Sequence, residues 1–345
     1  MKRKIAIIAG GDSSEHEVSL RSAAGLYSFM DKERYDVTIV VFDGNNWHTD
    51  AGEPIDKNDF SFTRAGEKYT FDFAYITIHG TPGENGILQG YLDMIGMPYS
   101  CCGVLAAALS FNKYACNHYL AGFGIHISQS ILLKKELNGL PIEQRLHKFG
   151  GPEGLAKQLG LPCFIKSNVG GSSFGCTKVK TVEEVLPAIE RAFQEGDEVI
   201  CETFMQGTEL TCGAYKTRHK AVAFPVTEVV THNEFFDYNA KYKGEVDEIT
   251  PARIPDEVRD AIQEQTLKIY DIIGAQGIIR VDWILTPNGE WKLENGKWTG
   301  DMPQLNLLEV NTTPGMTPTS FIPQQVRAAG LDIKDVLTDI IENKF

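Results

Sequence analysis

The amino-acid sequence predicts an α/β protein that also contains α+β elements and that is divided into three lobes. Its 345 residues exceed what one hydrophobic core usually supports. Short apolar runs alternate with helical segments in the first part of the chain, which is typical of an open parallel sheet. Hydrophobic residues make up 42% of the chain and charged residues 23%, so the chain can bury a sizeable core.

The first lobe is predicted to cover residues 1–105. An apolar run at residues 4–9 leads into Gly10-Gly11 and then into a helical stretch. This pattern predicts a buried strand that feeds a helix. Residues 37–42 and 73–78 repeat the strand signal. Strands that alternate with helical or loop sequence in this way predict an open α/β sheet.

The second lobe, residues 106–196, is predicted to consist of two helices over a small antiparallel sheet. Helical spacing covers residues 103–124, and Thr181-x-x-Glu184 is a capping box for a helix that ends near residue 195. A Gly/Pro-rich loop is expected between its first two strands. The predicted strands cover residues 130–134, 163–166 and 175–179.

The third lobe is predicted to cover residues 197–345. Its predicted strands cover residues 198–204, 209–216, 221–227, 278–285 and 305–310. Its predicted helices lie near residues 256–273 and 332–342. Clefts between lobes of this kind are the natural places for ligands.

The composition excludes several classes of partner. Acidic residues outnumber basic residues by 46 to 33, and the net charge of -13 repels nucleic acid and anionic membrane surfaces over most of the exterior. No apolar stretch approaches membrane-spanning length, and the basic N-terminus lacks the apolar region of a signal peptide. The seven cysteines form no C-x-x-C pair, so we expect reduced, mostly buried thiols. These features predict a cytoplasmic protein.

A glycine-rich segment at residues 170–177 nearly matches a phosphate-binding P-loop. The P-loop is rejected because Cys176 occupies the position of the required lysine and because strand-like sequence follows instead of a helix. Taken alone, the segment favours a plain turn, with a phosphate-binding hairpin flap as the alternative. The first strand and helix also lack G-x-G-x-x-G, which argues against a nucleotide-cofactor oxidoreductase.

The strongest chemical signal is carried by two strand-like segments, R-x-D and E-x-N, in the third lobe. Residues two apart in a strand point to the same face, so two such strands would direct Asp282, Glu309 and Asn311 to one point. Arg280 would lie beside them. Oxygen ligands of this kind suit Mg²⁺. The alternative is an acidic hairpin face in water, but the flanking residues are apolar, and buried charges are costly without a metal or a counter-charge.

Other polar segments are candidates for a ligand site, and most have a plain structural alternative. Glu15 opens the first helix, where a carboxylate can also be a surface acid favoured by the helix dipole. His79 follows a strand and is predicted at the C-terminal edge of the sheet, where ligands bind. Gly315 lies in a hydroxyl-rich loop and can lend a backbone N–H to a ligand. The polar segment 232–243 is either a mobile lid or a surface loop.

An ordered set of motifs strongly resembles those of the D-alanine–D-alanine ligases, and it runs from residue 4 to about residue 345. The motifs are Gly10-Gly11 with Glu15-His16-Glu17-Val18-Ser19, His79-Gly80, Lys166-x5-Ser172-Ser173-x-Gly175, Tyr238-x-x-Lys241-Tyr242, Arg280-x-Asp282 and Glu309-x-Asn311-x-x-Pro314-Gly315-Met316-Thr317. Each motif is weak alone, but their order and shared chemistry leave few competing families.

The resemblance implies an ATP-grasp fold and an ATP-dependent ligase that joins two D-alanine molecules through an acyl phosphate, for peptidoglycan precursor synthesis in the bacterial cytoplasm. It implies ATP and two Mg²⁺ ions, with Mn²⁺ able to replace Mg²⁺, and a homodimer whose other partners are small molecules only. Alternatives are another ATP-grasp ligase, a depsipeptide ligase that uses D-lactate, and a nucleotide-binding regulatory protein. The predicted metal ligands disfavour the last of these.

The resemblance also implies roles for individual residues. Those implied to bind ATP are Lys113, Lys166, Ser172, Glu202, Phe204, Met205, Glu209 and Lys241. Those implied to bind the substrates or to act in catalysis are Glu15, His79, Ser172, Tyr242, Arg280, Gly315 and Ser320. The implied metal ligands are Asp282, Glu309 and Asn311. A hydrogen-bonded chain from Tyr242 through Ser172 to Glu15 further implies an amine acceptor rather than D-lactate.

Three features depart from the family pattern. Thr203 occurs where the family often has lysine, and Asn112 occurs where an acid is common. Two Asn-Gly turn signals, at residues 288–289 and 295–296, occur where the family typically has one. They predict an added hairpin within residues 286–304.

Overall fold

The protein forms three main sheets with helices packed on them. A computed structural model describes residues 2–135, 141–171, 175–231, 246–287, 292–294, 297–299 and 302–345. Within these ranges the sheets have four, four and six strands, and two short hairpins lie apart from them. This mixture of a parallel sheet with antiparallel sheets confirms the predicted α/β class with α+β elements.

The N-terminal sheet is mostly parallel and has the order third, second, first and sixth strand. The strands of this region are β1 (Arg3–Gly10), β2 (Tyr35–Asp43), β3 (Asn46–Thr49), β4 (Phe62–Arg64), β5 (Glu67–Tyr69) and β6 (Phe73–Ile76). Its helices are α1 (His16–Phe29) and α2 (Ile87–Met94). Only β3 pairs antiparallel within the sheet, while β4 and β5 form a separate hairpin. The three predicted strands of this lobe are confirmed, and β1 is apolar from Ile5 to Ala9, where the strand is buried.

The second sheet is small and antiparallel. The helices α3 (Val104–Phe111) and α4 (Lys113–Ala121) precede it. Its strands are β7 (Ser130–Lys134), β8 (Cys163–Ser167), β9 (Thr177–Val179) and β10 (Glu198–Thr203), in the order β7-β10-β8-β9. Its helices are α5 (Ile142–Leu146), α6 (Gly151–Leu159) and α7 (Val185–Ala192). The predicted capping box at Thr181 and Glu184 is present, but part of the predicted Gly/Pro-rich loop is helical because α6 buries an apolar face.

The third sheet is the largest and is antiparallel. Its strands and those of the added hairpin are β11 (Thr208–Lys216), β12 (Ala221–Ala223), β13 (Thr227–Thr231), β14 (Val246–Ile249), β15 (Ile278–Thr286), β16 (Lys292–Glu294), β17 (Lys297–Thr299) and β18 (Gln304–Asn311). The helices are α8 (Asp256–Ile272), α9 (Phe321–Ala328) and α10 (Ile333–Glu342). The sheet order is β14-β13-β11-β15-β18, with β12 also paired to β11. The predicted strand at 221–227 is two strands, and the β16–β17 pairing confirms the predicted hairpin.

Tertiary packing differs from the predicted division of the chain. The strand β10 pairs with β7 and β8, so the second sheet extends past the boundary predicted at residue 196. The helices α3 and α4 belong by sequence to the second lobe, but Ala106 and Leu120 on them join the core under the third sheet with Trp283. Their apolar faces pack there because this sheet offers a large apolar surface.

The two ends of the chain meet on the first sheet. Val326 on α9 and Ile340 on α10 share a hydrophobic core with Ile5 and Ile7 of β1. The C-terminal helices therefore hold the loop after β18 against the first lobe.

Two further observations bear on the chain as a whole. No helix among the described residues has the length and apolar character needed to cross a bilayer. All seven cysteines are free thiols, six of them buried and Cys176 half-buried, as predicted. Burial raises the pKa of Cys101 to about 12 and that of Cys102 to about 11, so both stay protonated at neutral pH.

Candidate active site

The strands β15 and β18 bring four polar side chains to one face. Asp282 lies opposite Glu309 in the antiparallel register, and Arg280 lies opposite Asn311. Directly opposed residues share a face of the sheet, so these four side chains converge. A β-bulge follows Asp282 and shifts the register of the apolar remainder.

Asp282 is 6% exposed, and both of its carboxylate oxygens accept hydrogen bonds. Arg280 donates to both oxygens, from Nε at 2.8 Å and from Nη2 at 2.7 Å. The Thr211 hydroxyl donates to Oδ1 at 2.6 Å, and Asn311 Nδ2 donates to Oδ2 at 3.0 Å. These bonds explain how β15 can carry two buried charges among apolar neighbours, because a buried charge is tolerated when it is paired and hydrogen-bonded.

A large cavity of about 440 Å³ lies between the second and third sheets. On the second sheet, Lys166 Nζ lies 2.6 Å from Glu202 Oε2. The Ser128 hydroxyl donates to the other oxygen of Glu202 at 3.3 Å. Burial is the largest single effect and acts to lower the pKa of Lys166, but Glu202, together with smaller contributions from Cys176 and Glu309, raises the pKa overall. The cavity therefore contains a buried ion pair.

The remainder of the large cavity is apolar at one end and acidic at the other. Phe204 and Met205 follow β10 and line the apolar end. Glu209 on β11 lines the acidic end, where burial first and then Asp282 and Glu309 raise its pKa to about 8. Several carboxyl groups share this end, which favours the binding of a cation.

A small cavity of about 200 Å³ lies between α1, the end of β6 and the loop after β18. Glu15 immediately precedes α1, His79 follows β6, and each is 7% exposed. Ser22 on α1 lies 3.3 Å from His79 Nε2, and the Ser13 hydroxyl donates to the backbone carbonyl of His79 at 2.7 Å. These contacts hold His79 at the C-terminal edge of the first sheet, where open α/β sheets bind ligands.

The glycine-rich segment of the second lobe reaches the small cavity. A Cβ added to Gly171 would lie 2.7 Å from Glu15 Oε2, so a side chain would displace the carboxylate. Lys113, at the start of α4, donates from Nζ to Gly170 O at 2.6 Å and lies 3.5 Å from Glu309 Oε2. The segment therefore makes contacts beyond those of a plain turn.

The loop at residues 312–320 forms another wall of the small cavity. Ser320 is the N-cap residue of α9, and its Oγ accepts a hydrogen bond from Thr317 N at 3.1 Å. A Cβ on Gly315 would lie 3.0 Å from the same Oγ. Gly25 allows α1 to approach the loop, because a Cβ there would lie 2.4 Å from a loop carbonyl oxygen. Helix α1 therefore supports the loop directly.

Lys113, Arg280 and Glu309 line both cavities. They come from α4, β15 and β18, which are far apart in the sequence. We call these three residues the shared wall. A ligand in one cavity would meet a ligand in the other at this wall, and proximity of this kind is what group transfer between two ligands requires.

Two residues that the sequence did not single out contribute to the site. Glu84 lines the small cavity and accepts a hydrogen bond from Gly80 N at 2.7 Å. Burial first, and Glu15 second, raise the pKa of Glu84 to about 8. Glu84 lies in the turn-rich segment that follows His79, and this position in the sequence could have indicated that it belongs to the site. No sequence pattern marked Thr211 as a site residue, because it lies in a strand of ordinary composition.

Ser172, Lys241 and Tyr242 lie outside the described residues, as does the segment 232–243, so their roles stay predictions. The described residue Gly171, next to Ser172, lines both cavities. Thr231, at the end of β13 and next to the segment 232–243, lines the large cavity.

Family models and relatives match most of the chain. The models described as D-ala D-ala ligase N-terminus and D-ala D-ala ligase C-terminus match residues 4–102 and 141–342. A D-alanine–D-alanine ligase from Bacteroides fragilis is 61% identical over 349 aligned positions, which cover 100% of each chain. The chain belongs to the D-alanine–D-alanine ligase family. It is therefore a ligase that uses ATP and joins two D-alanine molecules.

Solved structures resemble this D-alanine–D-alanine ligase family member over almost its whole length. D-alanyl-alanine synthetase A from Vibrio cholerae is 28% identical, with a TM-score of 0.84 and coverage of 99% of this chain and 98% of that one. A D-alanine–D-alanine ligase from Bacillus anthracis, complexed with ATP, is 25% identical, with a TM-score of 0.71 and coverage of 99% and 97%. The chain therefore has an ATP-grasp fold, as the resemblance implied.

Proposed function

We propose that the two cavities form one active site, with ATP in the large cavity and the two D-alanine molecules in the small one. The shared wall carries the proposal, because Lys113, Arg280 and Glu309 are within reach of ligands on both sides. The sizes also support it, since a cavity of about 440 Å³ suits a nucleotide and one of about 200 Å³ suits amino acids.

The ATP contacts that the resemblance implies would be divided between the two ends of the large cavity. Glu202 and the backbone near Phe204 and Met205 would bind adenine at the apolar end, and Glu209 would hold the ribose. Lys166 and Lys113 would contact the phosphates, because ammonium groups attract phosphate oxygens. Lys166 would then exchange part of its interaction with Glu202 for the nucleotide.

Magnesium is the metal that this site would hold, with Asp282, Glu309 and Asn311 as ligands. Oxygen donors on one face and the acidic end of the large cavity support this fit. No three His, Cys, Asp or Glu side chains in the described part of the chain form a metal cluster. The Asn311 amide oxygen and phosphate oxygens of ATP would add to the carboxylates of Asp282 and Glu309. Two Mg²⁺ ions, or Mn²⁺ in their place, would neutralise phosphate charge.

The substrate contacts that the resemblance implies would lie around the small cavity. Glu15 would bind the ammonium of the first D-alanine, with His79 beside it, and Ser320 would bind the carboxylate of the second D-alanine. Arg280 and the backbone N–H of Gly315 would stabilise the oxyanion. Loss of one such donor typically costs on the order of 10²–10³ in rate.

The segment that contains Lys241 and Tyr242 would close over the phosphates and exclude water. Water exclusion matters because an acyl phosphate hydrolyses readily. Tyr242 would hydrogen-bond through Ser172 to Glu15 and so connect the lid to the first lobe.

The reaction then has two steps. A carboxylate oxygen of the first D-alanine bonds to the γ-phosphorus as the bond to ADP breaks. The amine nitrogen of the second D-alanine, after losing a proton, attacks the carbonyl carbon, and the bond to phosphate breaks. The products are D-alanyl-D-alanine, ADP, phosphate and one proton, and they would feed peptidoglycan precursor synthesis.

The test is incubation of the protein with ATP, Mg²⁺ and D-alanine, with phosphate and dipeptide both measured. We expect one phosphate per dipeptide, with no release when D-alanine is omitted. ATP hydrolysis without dipeptide would overturn the assignment of both D-alanine molecules to the small cavity.

Acceptor choice provides a second test, in which D-alanine and D-lactate compete at about neutral pH and at about two units above it. Wild type should form almost only D-alanyl-D-alanine. Tyr242→Phe should gain depsipeptide product most clearly at the lower pH, where fewer amine groups are deprotonated. A wild type that prefers D-lactate at neutral pH would overturn the acceptor assignment.

We also propose a cytoplasmic homodimer. Three exposed apolar side chains on α2 and α3 support an interface between copies, namely Ile87, Met94 and Leu105, which are 60%, 88% and 80% exposed. Light scattering of Leu105→Glu should give the monomer mass if this face is used.

The three-lobe division at residues 105 and 196 stays a proposal. We move the second boundary past β10, because this strand pairs within the second sheet.

A further inference from the structure

A polar network behind the shared wall surrounds the start of α4. Asn168 follows β8 and is fully buried. Its amide nitrogen donates to Asn112 Oδ1 at 2.9 Å and to Glu198 Oε2 at 2.7 Å. Its Oδ1 accepts from the backbone N–H of Tyr114 at 2.8 Å. All of the hydrogen-bonding groups of this side chain are therefore used within the protein.

The same network occupies the N-terminus of α4. Asn168 O accepts from Lys113 N at 3.0 Å, and Asn112 Oδ1 accepts from Ala115 N at 2.9 Å. Together with the bond to Tyr114 N, the first three N–H groups of the helix bind protein acceptors. They are not available to a phosphate, so the Lys113 ammonium is the group through which α4 can contact one.

Glu198 anchors the network in the second sheet. It starts β10, and its Oε2 also accepts from Asn112 Nδ2 at 3.0 Å. Its Oε1 lies 2.7 Å from Lys134 Nζ. Hydrogen bonds from Lys134, Asn168 and Asn112 lower the pKa of Glu198 despite partial burial, so it is a charged acceptor at neutral pH.

Helix α4 is also attached to the third sheet, because Asn117 Nδ2 donates to Leu308 O of β18 at 3.3 Å. The network thus fixes α4 between the sheet that supplies the glycine-rich segment and the strand that carries Glu309. Both ends of Lys113 are held, its backbone by Asn168 and its Nζ by Gly170 O.

We propose that Asn168 and Glu198 are positioning residues that hold the Lys113 ammonium at the shared wall before ATP binds. This inference rests on the proposed phosphate contact of Lys113. Ordering a long, flexible side chain costs conformational entropy, and a lysine that is already held loses less of it when phosphate binds. The network therefore contributes to ATP affinity without contacting ATP.

Asn168→Asp is the sharpest variant for a test. It keeps the size of the side chain and the acceptor for Tyr114 N, but it places a carboxylate against Asn112 Oδ1 and Glu198 Oε2. Loss of these two hydrogen bonds should raise the KM for ATP about tenfold. The KM for D-alanine should change by less than about twofold, because Glu15 and His79 lie outside the network.

Glu198→Gln added to Asn168→Asp should lower the KM for ATP again by about threefold, because the glutamine amide can donate to the new carboxylate. Asn306→Asp is the matched control. Asn306 is also buried and donates to Ile284 O at 3.3 Å, and it lines neither cavity. This control should lower the unfolding temperature without changing the KM for ATP.

Lys113→Met separates this inference from the proposed function. If Asn168 acts through Lys113, the Asn168→Asp change should add little in a Lys113→Met background. Lys113→Met with an unchanged KM for ATP would overturn the phosphate role of Lys113 itself. Two outcomes would overturn only the positioning role. In the first, Lys113→Met raises the KM for ATP and Asn168→Asp raises it further by its full factor in the double variant. In the second, Asn168→Asp alone has a normal KM for ATP. If Asn168→Asp does not fold, Glu198→Gln alone decides, with an expected rise of about threefold.

Discussion

The large and small cavities carry their charges in different ways. In the large cavity Lys166 and Glu202 form a buried ion pair at 2.6 Å, and both come from the second sheet. In the small cavity two carboxyl groups, Glu15 and Glu84, lie near each other, and burial together with Glu15 raises the pKa of Glu84 to about 8. A net-neutral ion pair suits the rings of a nucleotide, whereas the carboxyl groups of Glu15 and Glu84 can accept hydrogen bonds from the ammonium of an amino acid.

The charges also differ in their origin along the chain. The Lys166–Glu202 pair needs only the antiparallel pairing of β8 with β10. The pair of Glu15 and Glu84 forms only when the start of α1 meets the turn after β6. The shared wall, which comes from α4, β15 and β18, lines the same cavity. A site assembled from distant segments depends on how several elements pack, whereas the Lys166–Glu202 pair depends on one strand pairing, so changes in tertiary packing should affect the small cavity more.

The largest effect is expected at the shared wall, whose residues line both cavities. Glu309→Gln should lower turnover by on the order of 10²–10³-fold or more, because it removes charge from the proposed metal site. Dipeptide synthesis at saturating substrate, with circular dichroism as the check on folding, measures it. Near-normal synthesis would refute the metal assignment.

Asp282→Asn should be equally inactive, but it is the poorer test. It leaves Arg280 buried without its carboxylate partner, and breaking a buried ion pair typically costs about 3–5 kcal/mol of stability. Thermal unfolding should therefore separate the two variants, with Asp282→Asn unfolding at the lower temperature.

Lys166→Met tests the large cavity alone. The KM for ATP should rise by about 10- to 100-fold, since a charge-assisted contact to phosphate typically contributes about 1.5–3 kcal/mol. The KM for D-alanine should stay within about twofold of wild type. Equal changes in both constants would show that the cavities are not separate in function.

Glu84→Gln tests the small cavity through pH. A carboxyl group whose pKa is raised from 4.5 to about 8 on folding holds its proton more tightly in the folded protein. The stability of the ligand-free wild type should therefore fall as the pH rises from about 5 to about 8. The variant should lose this part of the slope, and thermal unfolding at several pH values measures it. Identical slopes would mean that the Glu84 carboxyl group titrates normally.

The smallest effect is expected away from both cavities. Asp271 pairs with Lys216 at 2.7 Å on an exposed surface. Asp271→Asn should change the free energy of unfolding by less than about 1 kcal/mol and leave both KM values unchanged. It is the matched control for Glu309→Gln, since the chemical change is similar and only the location differs. A large loss of turnover here would mean that acidic residues matter through net charge.

The sequence by itself determined the local elements and the order of the motifs. The apolar run of β1, the helical spacing of α8 and the alternation around Asp282 and Glu309 are periodic over a few residues, and local periodicity follows from backbone geometry. The family, the ATP-grasp fold and the ligase activity followed from the ordered motifs. The added hairpin followed from its two Asn-Gly signals.

Only the tertiary structure decided how distant segments meet. In the structure β10 pairs within the second sheet, α3 and α4 pack on the third sheet, and Lys113 lies close to Glu309. The tertiary structure also raised the pKa of Glu84 and joined Asn168 to Glu198. Strand partners, burial and charge environments depend on groups remote in the sequence, and no local pattern records which of them will be neighbours.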